Sequence, residues 1–268
     1  MAVLCDQLGV MLDNAELFAE RSRVALALQR TLLPPLLPEI PAVDLAAAYR
    51  PAVSASGVGG SSLVGGDFYD VFELGEGSWG LVVGDVRGIG PEAASLTGLA
   101  RYTVRAVAPE VVSPAEVLGR LNEAMRQVEP NERFCTAVYT LVTPQPGGVD
   151  VTLASAGHPP ALLLRDDESV EELPASGLML GVFADARFVD QRVRLEPGDA
   201  MVLYTDGAIE ARDSGGGQFG SDRLARVLST CAGRSAGGIA RRLELAVLDH
   251  RGDRSADDLA IVVVRARP

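Results

Sequence analysis

The chain has 268 residues, 47% of them apolar, which is enough for one large domain with a core, and no apolar run approaches the length of a membrane span. A net charge of −12 argues against nucleic acid as a partner, because its phosphates would be repelled. Three scattered cysteines (Cys5, Cys135, Cys231) exclude a disulfide framework or structural zinc site and read as buried thiols, and the absence of a basic n-region at the start points to a cytoplasmic protein without a signal peptide.

Residues 1–33 predict one helix. Leu4, Leu8, Met11, Ala15, Phe18, Ser22, Ala25, Gln29 and Leu32 alternate spacings of four and three, a heptad seam weakened at Ser22 and Gln29. The seam suits a parallel homodimer through residues 4–32 as well as it suits packing on the chain's own domain. Pro34, Pro35, Pro38 and Pro41 stop the helix and stiffen a connector, so the boundary is placed between a linker, 1–41, and a domain, 42–268.

Beyond it strands and helices alternate. Leu45–Arg50 is a short strand, followed by a Gly/Ser-rich loop, Ser54–Ser62. Asp67–Leu74 and Trp79–Asp85 are strands joined by a turn at Gly75–Ser78. Pro91–Val107 is a helix with proline in its first turn, and a second runs through Val128, with Ser113 as cap, Pro114 at the first helical position and Glu116 closing a capping box. Strands are predicted at Phe134–Thr143, Val149–Ala154, Ala161–Arg165, Phe188–Leu195, Ala200–Thr205 and Ile261–Arg265, with helices at Ser221–Leu228 and Ser235–Asp249. Many strands with helices paired at two points predict an α+β layered domain, two sheets covered by helices.

Several acids sit where a core would not want them. Leu81–Asp85 and Met201–Asp206 are apolar strands ending in an acid, Asp257-Asp258 precedes the apolar run Leu259–Val264, and Asp67 follows Gly65-Gly66. A carboxylate at the end of a buried strand is costly unless paired or bound to metal, and glycine beside it lets backbone or ligand approach. Each acid alone reads as a turn aspartate. Together, without His or Cys among them, they suit hard cations, Mg²⁺ or Mn²⁺, two of which can activate water and clamp a phosphoryl group. His158, in Gly-His-Pro-Pro, reads as a turn residue, and His250 as one able to cap carbonyls at a helix end. No nucleophile-elbow, zincin or P-loop pattern occurs.

The segments VGGDFYDVFEL (Val64–Leu74), GLVVGDVRGIGPEAA (Gly80–Ala94), RFCTAVYTLV (Arg133–Val142), ASAGHPPALLL (Ala154–Leu164), EPGDAMVLYTDGAIEAR (Glu196–Arg212), FGSDRLARVL and DDLAIVVVR occur in one order. In that order the chain resembles the bacterial SpoIIE/RsbU-type phosphatases, a branch of the PPM (type 2C) serine/threonine protein phosphatases, over about residues 30–266. The resemblance implies an αββα sandwich with two divalent cations at one edge between the sheets. It implies that Asp85 bridges both metals, that the Val86 carbonyl contacts one, and that Asp206 and Asp257 ligate the other. A shift of one residue in the motif would select Asp258 instead. Asp67 matches an acid near the second metal or an accessory ion. The implied reaction is hydrolysis of phosphoserine or phosphothreonine by metal-activated water, often on a STAS-domain anti-sigma-factor antagonist. The N-terminal segment resembles helices that join a GAF or PAS sensor to such a domain, which implies an upstream sensor in a longer protein.

Three positions depart from the family pattern. Ile89 fills a position usually basic or His, Leu63 replaces an acid common before Val-Gly-Gly-Asp, and Arg87 stands where many eukaryotic members carry a general-acid His. Arginine does not donate a proton near neutral pH, so Arg87 is assigned to substrate phosphate binding. The alternatives are a degenerate phosphatase serving as a binding or scaffold module, and a phosphohydrolase acting on small molecules.

Overall fold

Apolar runs such as Leu259–Val264 have no polar face, which suits a strand covered on both sides. The computed structural model describes residues 36–52, 65–128, 134–252 and 257–267, and there it supplies both covers. The strands are β1 (Val43–Arg50), β2 (Asp67–Gly75), β3 (Ser78–Val86), β4 (Cys135–Gln145), β5 (Gly148–Ala156), β6 (Leu162–Leu164), β7 (Val170–Glu172), β8 (Gln191–Leu195), β9 (Ala200–Tyr204) and β10 (Leu259–Ala266). They form two five-stranded sheets, ordered β1-β10-β9-β6-β7 and β2-β3-β4-β5-β8, whose strand pairs are antiparallel. Helices α1 (Pro91–Val107) and α2 (Pro114–Val128) cover the second sheet; α3 (Ser221–Ser229) and α4 (Ala236–Arg251) cover the first. This is the αββα sandwich expected of the sequence.

The period of two along each strand sorts side chains between layers. In β3, Leu81 and Val83 point into the core between the sheets, while Val82 and Val86 pack under α1 and α2. In β10, Val262 and Val264 join the central core, while Ile261 and Val263 face α3 and α4. The central core also takes in Ile40, and Leu37 packs against it, so packing on the domain begins within the proline connector.

An ion-pair cluster lies between α1 and β2. Asp70 on β2 is fully buried and accepts from Arg101 Nε at 2.7 Å and from Arg105 Nε and Nη2 at 2.5 and 2.9 Å. Arg105 also stacks over Phe72, 4.9 Å from the ring centroid. The pairing ties α1 to β2, and removing either side would strand a buried charge.

Most predicted elements form. β7 was not foreseen, because Val170-Glu171-Glu172 is a mostly exposed edge strand with one apolar residue. β8 starts at Gln191 rather than Phe188. Phe188 packs with the helix layer, and Asp190 accepts the Ala115 N–H at 2.7 Å, capping α2. The capping box closes on one side: Ser113 Oγ accepts from Glu116 N–H, while the Glu116 carboxylate turns to Arg120. The predicted helix 1–33, its seam, the Ser54–Ser62 loop and Leu63 lie outside the described residues.

Candidate metal centre

Two strand ends from one sheet meet two chain segments from the other at one edge of the sandwich. In the second sheet Asp67, opening β2, stands directly opposite Asp85, the penultimate residue of β3. In the first sheet β9 runs into a 3-10 turn, Asp206–Ala208, and Asp257-Asp258 lead into β10, which pairs with β9. Carboxylate oxygens of Asp67, Asp85 and Asp206 lie within 4.8 Å of one another.

Glycines permit this approach. A Cβ on Gly66 would lie 1.8 Å from the Val86 carbonyl oxygen and 2.6 Å from Asp85 Oδ1. One on Gly65 would lie 1.2 Å from Asp258 Oδ2, and one on Gly207 1.8 Å from the Asp258 carbonyl oxygen. The Gly65-Gly66 pair therefore gives Asp85, Val86 and Asp258 the space they occupy, and the Val86 N–H donates to the Gly66 carbonyl at 3.1 Å.

The electrostatics are those of crowded anions. Burial pushes the Asp67 carboxyl well above its ordinary range, and Asp85 and Asp258 push it further. Asp85 is pushed up to about 7 by burial and then by Asp206, Asp257 and Asp258. Asp206 is raised by burial and by Asp257 and Glu210. Each carboxylate destabilises its neighbours, a situation that bound cations reverse.

The two adjacent acids part company. Asp258 is buried; its Oδ1 accepts the Ala52 N–H at 2.6 Å and its Oδ2 the Asp67 N–H at 3.4 Å, and burial pushes its carboxyl up to about 6. Its carboxylate thus ties the end of β1 to the start of β2. Asp257 is exposed, accepts the Asp258 N–H at 3.0 Å, and lies outside the close triangle while its charge acts on Asp85 and Asp206.

Arg87 follows Val86 into an exposed turn. Its backbone N–H donates to the Phe134 carbonyl at 2.9 Å, and its guanidinium stacks 5.2 Å from the Phe134 ring centroid. Ile89, two residues on, is 57% exposed, a bare apolar side chain where a basic group was expected.

Some residues at this edge carried little signal in the sequence. Thr205 donates from Oγ1 to Asp67 Oδ2 at 2.6 Å. His158 is buried, with Nδ1 3.1 Å from Thr136 Oγ1, and Thr136 is the register partner of Asp85. Burial lowers the imidazole to about 3, so it is neutral and is no proton donor at neutral pH. It is a core residue behind the acids rather than a turn residue. His250 in the last turn of α4 places Nε2 3.0 Å from the Gly217 carbonyl and meets Phe219 edge-on, so it ties down a neighbouring loop. Cys135 and Cys231 are buried free thiols, as expected.

The donor set fits a small hard dication. Carboxylate oxygens bound to one Mg²⁺ at about 2.1 Å lie at most roughly 4.2 Å apart, so a group already within 4.8 Å needs little closure. No helix among the described residues is long and apolar enough to cross a membrane.

Residues 75–267 match the family of stage II sporulation protein E (SpoIIE). The phosphoserine phosphatase RsbU of Bacillus subtilis is 28% identical over 245 residues, covering 91% of this chain and 69% of RsbU. The phosphoserine phosphatase RsbP of the same organism is 27% identical over 154 residues, covering 56% of this chain and 38% of RsbP. Among solved structures, the SiaA PP2C domain of Pseudomonas aeruginosa superposes with a TM-score of 0.74 at 26% identity, over 99% of both chains.

Proposed function

Because this chain belongs to the SpoIIE family and is a protein serine/threonine phosphatase of the PP2C fold, we propose that it dephosphorylates phosphoserine or phosphothreonine on a partner protein with two divalent cations, Mn²⁺ or Mg²⁺, held by Asp67, Asp85, Val86, Asp206 and Asp257. The observation that carries the reading is the approach of Asp67, Asp85 and Asp206 within 4.8 Å while burial and neighbouring charge oppose their ionisation. When bound, two cations supply an activated water and offset the charge of the phosphoryl group.

The chain's own residues have distinct tasks. Asp85, with acids of both sheets around it, would hold the cations together with the Val86 carbonyl, which abuts Gly66 and would be a second donor from the same strand end. Asp206 and Asp257 serve from the other sheet. Asp258 has both oxygens on backbone N–H groups, which favours Asp257 as the ligand of the pair. Arg87, steadied on Phe134, binds substrate phosphate through charge-assisted hydrogen bonds.

The substrate class implied by the sequence resemblance is a phosphorylated STAS-domain antagonist of an anti-sigma factor. Dimerisation through residues 4–32 and control by an upstream sensor belong to the same proposal. Light scattering before and after removal of residues 1–33 tests the first: an unchanged mass refutes it.

Turnover of a phosphoserine peptide by metal-stripped protein, with Mn²⁺ or Mg²⁺ added back, tests the activity. Metal-dependent release of phosphate is expected. No release with either cation, from protein that still binds a phosphorylated partner, would favour a binding module instead.

A further inference from the structure

Thr205 occupies a junction between the two sheets. It is fully buried at the end of β9, immediately before Asp206. Its Oγ1 accepts the Ala260 N–H at 2.9 Å and donates to Asp67 Oδ2 at 2.6 Å. A hydroxyl has one proton, and its other acceptor within reach, the Ala260 carbonyl, is 3.5 Å away. The shorter contact takes the proton, and the Ala260 N–H on an oxygen lone pair fixes the rotor. Asp67 belongs to the other sheet, so this hydrogen bond crosses the gap between the layers.

We propose that Thr205 is a positioning residue of the metal centre, acting through Asp67: by holding Oδ2 it sets the direction of that carboxylate toward Asp85 and Asp206 and so sets cation affinity. The inference rests on the metal-centre reading above. It explains why a hydroxyl is needed at the end of an otherwise apolar strand, Met201–Tyr204, where valine would match the shape. Residues that orient a ligand from behind commonly change metal affinity as much as weak ligands do.

The alternative role is a staple that merely joins the sheets. The two are separated by calorimetric titration of Mn²⁺ into the metal-stripped 268-residue chain, comparing the parent with Thr205→Val, Thr205→Ser, Asp67→Asn and the Thr205→Val/Asp67→Asn double variant. Thr205→Val is expected to weaken Mn²⁺ binding about tenfold or more, and Thr205→Ser to restore it. With Asp67→Asn already present, Thr205→Val should add little, since the carboxylate it orients is gone. Parent-like binding by Thr205→Val overturns the proposal, as does a full penalty persisting beside Asp67→Asn. A parent that itself binds no Mn²⁺ overturns the metal-centre reading and this one with it, an outcome distinct from the other two. Circular dichroism checks each fold; should valine prevent folding, Thr205→Ala, which leaves room for a water on the Ala260 N–H, enters the same cycle.

Discussion

Replacing Asp85 by Asn keeps the side chain's size and removes its charge, and the structure gives that change a sign and a size. In the metal-free fold the Asp85 carboxyl is pushed from an ordinary 3.8 up to about 7, first by burial and then by Asp206, Asp257 and Asp258. A raised carboxyl contributes stability that is fully present below pH 3.8 and lost as the pH climbs through 7. At about 1.36 kcal/mol per pKa unit, the raised carboxyl costs the metal-free fold about 4 kcal/mol at pH 8, where it is ionised, and about 2 kcal/mol at pH 5.5, where the fold holds it protonated against an ionised unfolded chain. Asp85→Asn should therefore resist urea better than the parent in the presence of a chelator, with a gain at pH 8 roughly twice that at pH 5.5. Added Mn²⁺ should raise the parent's midpoint and leave the variant's nearly unchanged, while phosphopeptide turnover by the variant falls by orders of magnitude. Equal urea midpoints for parent and variant at pH 8 without metal would refute the reasoning, because the crowding of anions would then have no energetic consequence.

Asp257→Asn should lower Mn²⁺-dependent turnover about tenfold or more, whereas Asp258→Asn should retain most of it; steady-state assays of the two side by side decide which acid ligates. Gly66→Ala should destabilise the fold by about 1–3 kcal/mol in urea and abolish turnover, because the new methyl meets the Val86 carbonyl oxygen at 1.8 Å. Arg87→Ala should raise KM for a phosphoprotein with the circular dichroism spectrum unchanged; an unaltered KM and kcat would make Arg87 an ordinary surface residue.

Much of the architecture was legible because both faces of the central strands are covered. Runs such as Leu81–Val83 and Leu259–Val264 are apolar throughout, and an acid beside such a run is anomalous without knowledge of the fold. Segments with mixed faces were harder. Val170-Glu171-Glu172 pairs at a sheet edge through its backbone, which side-chain pattern does not record. Phe188–Asp190 looked like strand, yet Phe188 and Asp190 serve the helix layer and Val189 is exposed. At the site, the acids of the first rank were visible as strand ends. The difference between Asp257 and Asp258 was not, since it depends on where the Ala52 and Asp67 N–H groups lie in the fold. The same holds for His158, whose partner Thr136 lies on a different strand.

The order β1-β10-β9 places the last of the ten described strands between the first and the ninth. During synthesis on the ribosome, β1 and β9 therefore wait with unpaired edges until Leu259–Ala266 emerges, and only then does the first sheet close. Asp257-Asp258 arrive at the same moment, so sheet closure and assembly of the acid cluster are one event. A nascent or prematurely terminated chain lacking that strand would present β-edges and apolar faces to chaperones and to its own copies, and would lack both Asp257 and Asp258.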